Sequence, residues 1–225
     1  MIEKKDVKTF RMSLTNMPLF EGMDNESIVN LLQCLGAHNK TYTKDEPIVL
    51  EGSAADFVGV VVEGKLQIIK EELEGSLTLI DEVTPGEMFG EVFACASVKE
   101  MPVSVYAAEK SSVMLLDFKR LLTTCSNACP FHSKVIQNLL QIVSEKALAL
   151  NKRIEIMSKR SIRDKLICYL TMEYERTRKL QFDIPFNRQQ LADYLCVERS
   201  ALSAEMSRMK KEGIIDYRKN EFWLL

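Results

Sequence analysis

The sequence lacks the long apolar segments that a membrane protein needs. It has no run of about 18 or more apolar residues, the length at which a bilayer-spanning helix becomes a candidate. Its first residues, MIEKKDVKTF, also lack the apolar stretch of a secretory signal peptide. We therefore expect a cytoplasmic protein that does not bind a membrane.

Signs of catalysis and of a disulfide framework are missing too. The six cysteines are scattered, without the dense regular spacing of a secreted disulfide scaffold, so reduced thiols are expected. The sequence contains no nucleophile elbow, no phosphate-cradling P-loop and no pair of carboxylates in a catalytic context. We expect that the protein is not an enzyme.

Charge is distributed unevenly along a chain whose net charge is only -2. Residues 152–225 hold 16 Lys and Arg against 11 Asp and Glu, a net of +5, whereas residues 1–151 carry a net of -7. Neutralisation of phosphates supplies most of the non-specific affinity of proteins for nucleic acid. Only the C-terminal part is therefore suited to a polyanion.

The N-terminal half predicts a helix followed by a β-roll. Residues 13–37 read as one helix, with Asp24 or Asn25 placed to cap a turn and with its end at Gly36. From 41 to 118, short β-branched runs alternate with turn signals roughly every eight to twelve residues, which is typical of an antiparallel barrel or sandwich. The runs are 47–50, 58–62, 66–69, 77–80, 103–106 and 113–116, and the turn signals are Gly52, Gly64, Gly75 and Pro85-Gly86.

A heptad pattern follows at about 130–158. Apolar residues recur there in alternating steps of four and three, the spacing that keeps one stripe of a helix facing a partner helix. We predict a homodimer interface; the alternative is a long helix that lies on its own barrel. The predicted interface residues are Ile136, Leu140, Val143, Ala147, Leu150, Ile154 and Met157.

The last segment predicts a winged helix-turn-helix. A helix beginning near Ile162 and a short strand at 181–185 precede two helical patterns, 187–195 and 198–210, which are separated by a two-residue turn. After Gly213, a strand, a turn at Lys219-Asn220 and a second strand fit a β-hairpin wing. Plain helical packing is the alternative for the two helices taken alone.

The second helix of this pair would present its N-terminal half to a DNA major groove. We predict that Arg199 reads a base, with Glu198, Ser200, Ser203 and Ala204 beside it. Residues at the start of the first helix and in the basic end of the second would contact phosphates and fix register. The predicted DNA-contacting residues are Arg188, Gln189, Glu198, Arg199, Ser200, Ser203, Arg208 and Lys210, with Lys211 as a further phosphate contact.

Across nearly its whole length the chain resembles the Crp/Fnr superfamily, which contains the cyclic-AMP receptor protein and the fumarate-nitrate regulator. The resemblance rests on Glu63-Gly64-Lys65-Leu66-Gln67-Ile68, Gly75 and Pro85-Gly86-Glu87-Met88-Phe89-Gly90-Glu91 in the barrel, and on 187–195 followed by Arg199-Ser200-Ala201-Leu202-Ser203 in the reading head. It implies an α+β fold with a cyclic-nucleotide-binding-like β-roll at 1–129, a dimerisation helix at 130–158 and a winged helix-turn-helix at 159–225.

The resemblance also implies an effector pocket in the barrel. The corresponding residues are Phe89, Gly90, Glu91, Val92, Cys95, Met101, Pro102 and Val103. Members that bind cyclic AMP hold its phosphate with an Arg-Ser pair, and Met101-Pro102 stands in that place here, so a buried phosphate would lack its charge partner. Cyclic AMP is therefore not expected, although Glu91 remains in the ribose-contacting position. No cysteine precedes Cys34, so the N-terminal iron-sulfur cluster of oxygen-sensing members is not expected either.

The reading head departs from the family pattern at three positions. Ser200 and Ala204 replace a common Glu and a second Arg, so the half-site should differ from the best-known operators. Cys196 stands where a turn glycine is frequent, at a cost of about 1 kcal/mol if the left-handed conformation is kept.

Other thiols and imidazoles leave several interpretations open. Cys125, Cys129 and His132 are spaced to share a helix face and could offer ligands to zinc or iron, could be ordinary thiols, or could sense redox state. Cys95 lies just after the Gly90-Glu91 corner, where a small apolar core residue is the simpler interpretation. His38 is expected on the surface.

Together these features predict a transcription regulator that binds double-stranded DNA as a homodimer and, by family analogy, contacts RNA polymerase. An unidentified small-molecule or redox effector in the barrel would shift the population of helix and reading-head arrangements. The alternatives are a ligand-binding module that has lost DNA binding and a purely structural dimer.

Overall fold

A computed structural model describes residues 14–72, 74–123 and 130–225 of the chain. The chain forms two compact units, Met1–Glu145 and Lys146–Leu225. None of the helices in the described ranges is long and apolar enough to span a bilayer. The three-part division predicted from the sequence stays a prediction.

The single helix predicted at 13–37 is wrong. A 3₁₀ turn occupies Pro18–Phe20 and a separate helix, α1, occupies Asn25–Cys34. Pro18 lacks a backbone donor, and Gly22 has a φ of +77°, which no continuous helix contains. Asp24 caps α1 by accepting a 2.8 Å hydrogen bond from the Ser27 backbone, so this cap is as predicted.

The predicted β-roll is confirmed as two antiparallel four-stranded sheets, with strand orders β1-β8-β3-β6 and β2-β7-β4-β5. All six predicted runs are strands. Two further strands were not predicted: β1, which is mostly polar, and β6, which has only two residues. The strands are His38–Tyr42 (β1), Pro47–Val49 (β2), Phe57–Glu63 (β3), Leu66–Glu71 (β4), Leu77–Val83 (β5), Met88–Phe89 (β6), Ser104–Ala107 (β7) and Ser111–Asp117 (β8).

Strand β3 is buried on both of its faces. Val58, Val60 and Val62 pack into a cluster with the apolar residues of α1, whereas Val61 belongs to the cluster inside the roll. Successive side chains of a strand point to opposite faces, so one run of valines holds both cores of the first unit.

Within the described residues, this part of the chain has three further helices: α2 at Glu91–Cys95, α3 at Phe118–Leu122 and α4 at Pro130–Ser158. The helix predicted at 130–158 is therefore present. Its first half packs into the α1 cluster through Val135 and Leu139. The buried Asn138 amide donates to the Leu19 and Glu21 carbonyls, at 2.9 and 3.0 Å.

The second unit contains the predicted winged helix-turn-helix. Its elements after α4 are α5 (Ile162–Thr177), β9 (Gln181–Asp183), α6 (Arg188–Tyr194), α7 (Arg199–Lys211), β10 (Ile215–Arg218) and β11 (Glu221–Leu224). The three strands form one antiparallel sheet in the order β10-β11-β9. The core of the second unit includes Leu166 and Leu170 of α5, Leu191 of α6, Leu202 of α7 and Phe222 of the wing.

Two turn glycines in the roll differ in their surroundings. Gly64 has a φ of +83°, and a Cβ at this position would lie 2.5 Å from the Lys110 carbonyl oxygen and 2.7 Å from Ser111 Cα. Gly75 has a similar φ of +78°, but a Cβ there would meet nothing within 4 Å. Gly64 is therefore required for space as well as for backbone conformation, and Gly75 for conformation alone.

We predict that Gly64→Ala lowers the free energy of unfolding of the first unit by about 3 kcal/mol or more, because backbone must move to admit the methyl group. Gly75→Ala, the matched control, should cost only about 1 kcal/mol of backbone strain. Urea unfolding followed by hydrogen exchange of β3 and β8 peptides measures both, since the single tryptophan, Trp223, lies in the other unit. Equal losses in the two variants would contradict the steric argument.

Candidate nucleic-acid interface and effector pocket

Helix α6 begins with a complete capping box. The Asn187 side chain accepts a hydrogen bond from the Gln190 backbone at 3.0 Å, and the Gln190 side chain accepts one from the Asn187 backbone at 2.9 Å. Two backbone donors that a helix start leaves without partners are thus satisfied. The box fixes the first residue of the helix-turn-helix.

The turn between α6 and α7 passes through Cys196 in a left-handed conformation, with a φ of +49°. This is the strained arrangement expected from the absence of glycine there. Glu198 then caps α7, accepting hydrogen bonds from the Ser200 and Ala201 backbones at 2.8 and 3.0 Å and from the Ser200 hydroxyl. These hydrogen bonds lower the pKa of the Glu198 carboxyl, and the bond from the Ser200 hydroxyl has the largest effect.

Helix α7 is amphipathic. Leu202, Met206 and Met209 are fully buried in the core of the second unit. At 3.6 residues per turn, the opposite face carries Ser200, Ala204, Ser207 and Lys211, and all four are exposed. Arg199 is exposed at the first position of the helix, and Ser203, whose hydroxyl donates to the Arg199 carbonyl at 2.9 Å, is partly buried.

Arg188 is packed more closely than a phosphate contact on the surface would be. Its guanidinium lies 4.9 Å from the centre of the Tyr217 ring and donates to the Met206 sulfur. Burial lowers the pKa of Arg188; the nearby Tyr217 opposes this shift and the positive charge of Arg199 adds to it. Arg188 therefore joins α6 to the wing in addition to carrying positive charge.

The other predicted phosphate contacts also have partners within the chain. Lys210 is ion-paired with Asp216, Arg208 donates to Glu205 at 2.7 Å, and Gln189 donates to Asp193 at 2.8 Å. Lys211 is exposed. On contact with DNA, Arg208 and Gln189 would exchange these exposed bonds for bonds to phosphate.

A notch of about 520 Å³ lies between the start of α6 and the tip of the wing. The turn at Lys219-Asn220 was predicted, but these two residues were not among the predicted DNA contacts. The run of basic residues Arg218-Lys219 at a hairpin turn was the available signal. The residues that line the notch are Pro185, Phe186, Asn187, Arg188, Gln190, Lys219 and Asn220.

The structure divides the predicted effector pocket between the core and the surface. Phe89, Met101 and Val103 are buried together in the cluster inside the roll, and Glu91 is buried at the start of α2. Gly90 precedes it with a φ of +80°, and a Cβ there would lie 2.9 Å from the Phe57 ring. Val92, Cys95 and Pro102 are exposed.

The expectation that Cys95 is a core residue is therefore wrong. It is the last residue of the short helix α2 and faces solvent, because Glu91 and Ala94 take the buried side of that helix. Partial burial raises the pKa of the Cys95 thiol, and the charge of Glu91 adds a smaller increase.

A cavity lies elsewhere in the first unit. It has a volume of about 570 Å³ and contains none of the eight predicted pocket residues. Residues from β1, β2, β3 and β8 and from the loops beside them line it: His38, 47–50, Ser53, Ala54, Asp56, Phe57 and 115–117. His38 is exposed, as expected.

Most of the predicted dimer residues are exposed on α4. Leu140, Leu150 and Ile154 each expose more than half of their surface, and Ala147 is exposed too. Ile136 and Val143 pack partly against the α1 cluster, and Met157 packs partly against the core of the second unit.

The proposed Cys125, Cys129 and His132 ligand set lies mostly outside the described residues. Cys125 and Cys129 are not among them. His132 is buried, and its Nδ1 has no hydrogen-bond partner within the described part of the chain. Across the same residues, no three His, Cys, Asp or Glu side chains are grouped to hold a metal ion.

Two parts of the chain match known protein families. Residues 39–128 match the cyclic nucleotide-binding domain, and residues 164–225 match the Crp-like helix-turn-helix domain. The transcriptional activator protein FnrL of Cereibacter sphaeroides is 22% identical over 207 residues, which are 85% of this chain and 77% of FnrL. The potassium channel KOR2 of Oryza sativa is 24% identical over 128 residues, 57% of this chain but 17% of the channel.

Solved structures share the fold. The c-di-GMP-responsive regulator CLP of Xanthomonas campestris aligns with a TM-score of 0.52 at 16% identity, over 89% of this chain and 99% of CLP. A cyclic nucleotide-binding domain from Methylobacillus flagellatus aligns with a TM-score of 0.55 at 19% identity, over 70% of this chain and 86% of that domain.

We predict that Cys196→Gly stabilises the second unit by about 1 kcal/mol, because glycine adopts the positive φ of the turn without strain. The thermal midpoint followed by Trp223 fluorescence should rise by about 4 °C. Cys196→Ala keeps the Cβ and the strain, so it should leave the midpoint nearly unchanged. The prediction fails if the two variants shift the midpoint equally.

Proposed function

We propose that this chain, which belongs to the Crp/Fnr family of DNA-binding transcriptional regulators, acts as a homodimer whose reading heads bind an inverted repeat under the control of an effector. The observation that carries the proposal is the exposed face of α7. A helix held by three buried side chains presents Arg199, Ser200 and Ala204 at its N-terminal half, the part that enters a major groove in helix-turn-helix proteins.

Base reading falls to Arg199 on chemical grounds. Its guanidinium can donate two parallel hydrogen bonds to the O6 and N7 atoms of guanine. Ser200 and Ala204 are short, so they would add one hydroxyl contact and an apolar contact respectively. The net charge of +5 over residues 152–225 supplies attraction to phosphates that carries no sequence information.

The dimer is proposed on the exposed stripe of α4. Leu140, Ala147, Leu150 and Ile154 recur at heptad spacing and are exposed in the single chain. Such a stripe exposes apolar surface to water, which is unfavourable unless another surface covers it. A second copy of the same helix covers it with matching spacing and gives two reading heads, as an inverted repeat requires.

The effector is proposed to act in the β-roll and is not cyclic AMP. Met101 is buried in one cluster with Phe89 and Val103, so the first position of the phosphate-holding pair is apolar. The effector would bias the population of arrangements of α4, which runs from one unit into the other. RNA polymerase as a partner and the cytoplasm as the location follow from family analogy and stay predictions.

Selection from a pool of random duplexes, with and without cell extract as a source of effector, tests DNA reading. We expect an inverted repeat with half-site centres about one helical turn apart. Arg199→Ala should remove the preference at one base pair of each half-site, a loss of about 1–3 kcal/mol of discrimination.

Lys211→Ala is the control for this selection. It should weaken binding to every duplex about equally and lower the salt dependence by about one counterion per site. If wild type enriches no sequence under either condition, DNA reading is wrong and a ligand-binding module without DNA binding becomes the leading account.

We predict that Leu150→Gln weakens the dimer, measured as a shift of the dissociation constant in sedimentation equilibrium. Leu148→Gln is a matched control, because Leu148 is exposed by 60% and Leu150 by 62% in the single chain, but Leu148 lies outside the heptad stripe. The control should dimerise like wild type. Equal weakening by both substitutions would show that the contact surface does not follow the stripe.

A further inference from the structure

One guanidinium links α5 to α7 through two carboxylates. Arg163 Nε donates to Glu205 at 2.6 Å, and its terminal nitrogens lie 3.0 and 2.8 Å from the two oxygens of Glu212. The Glu205 side chain is only 12% exposed. Each of the three guanidinium nitrogens thus has a carboxylate partner, and one of the two carboxylates is largely removed from solvent.

The spacing of the two carboxylates gives this link its geometric effect. Glu205 of α7 and Glu212, the residue that caps the C-terminal end of α7, lie seven residues apart, about two helical turns and about 10 Å along the axis, on the same flank. A single contact between Arg163 and α7 would leave the helix free to tilt about that contact. Two anchors on one flank restrict rotation of α7 about its own axis.

The wing holds the opposite flank. Lys210 is ion-paired with Asp216, and the Ser207 hydroxyl lies 3.4 Å from the Tyr217 hydroxyl. Because the buried residues of α7 lie between these flanks, the helix has polar attachments on both sides of its apolar base. The exposed face that carries Ser200 and Ala204 lies opposite the apolar base, and the wing contacts this face at one edge through Ser207.

Helix α5 also reaches the turn that precedes α7. Lys165, two residues after Arg163, donates from Nζ to the Leu195 carbonyl at 3.0 Å. This carbonyl lies one residue before Cys196, which has the strained φ. The start of α5 therefore contacts both the turn and the flank of the reading helix.

We propose that Arg163 is a positioning residue for DNA reading: by holding Glu205 and Glu212 it sets the rotation of α7 that directs Arg199 and the Ser200 face toward the bases. The inference rests on the proposed function. It requires the planar fork of arginine, because three nitrogens in a fixed geometry meet Glu205 and both oxygens of Glu212, whereas a lysine ammonium is a compact charge that lacks this geometry. A rotated helix would still present positive charge to phosphates but would misalign its base contacts.

The test compares Arg163→Gln with Arg160→Gln in the full chain. Arg160 is exposed and lies in the segment before α5, so both substitutions remove one positive charge at nearly the same place. Affinities are measured for the best duplex from the selection and for a scrambled duplex, well below the unfolding temperature. We expect Arg163→Gln to lose about tenfold in affinity for the selected duplex, relative to Arg160→Gln, and to match it on the scrambled duplex.

Two further variants keep the test decisive. Glu212→Gln removes the charge of one carboxylate and leaves Glu205 in place, so the variant should fold and lose a smaller share of the preference for the selected duplex. Arg163→Lys should restore less than half of the preference that Arg163→Gln loses. If Arg163→Gln lowers only the thermal midpoint and keeps the selected-to-scrambled ratio of Arg160→Gln, the link is structural and the inference is overturned. A wild type with equal affinity for both duplexes overturns the proposed function itself, and the inference with it.

Discussion

The reading head depends on the burial of one face of α7. A helix of 13 residues is marginal in water by itself, and Leu202, Met206 and Met209 each gain about 2 kcal/mol by leaving solvent. Partly exposed ion pairs such as those of Arg163 and Lys210 contribute about 1 kcal/mol or less. The apolar base therefore decides that the helix exists and which side faces out, while the polar flanks adjust its rotation.

Burial also explains which parts of the fold were predictable from the sequence. The valines of β3 and the heptad of α4 are long repeating patterns, and both elements formed close to their expected bounds. The helix predicted at 13–37 failed because Pro18 and Gly22 interrupt a pattern that remains apolar on both sides of the break. Strand β1 was missed because its residues are mostly polar and because its pairing partner, β8, lies far along the sequence.

The candidate site was predictable only where it depends on local spacing. The positions of Arg199 and Ser200 follow from the helical period, and the cap at Asn187 follows from its neighbours. The packing of Arg188 on Tyr217 joins residues 29 positions apart, and Arg163 meets Glu205 across 42 positions. Neither contact leaves a local pattern. Cys95 was misplaced because a five-residue helix buries Glu91 and Ala94 and has no second buried turn.

The interior of the roll constrains the effector more tightly than the family resemblance does. Phe89, Met101 and Val103 are buried in one apolar cluster inside the roll, and Met101 stands at the first position of the pair that the resemblance assigns to the phosphate of cyclic AMP. A buried phosphate without a cation costs several kcal/mol, and Glu91, the buried acidic residue nearby in sequence, would add repulsion rather than compensation. An anionic effector would therefore have to bring its own counter-charge or bind outside this interior. A neutral ligand meets neither cost, whereas a cationic ligand would itself need a buried carboxylate partner, so neutral compounds are the chemical class to screen first.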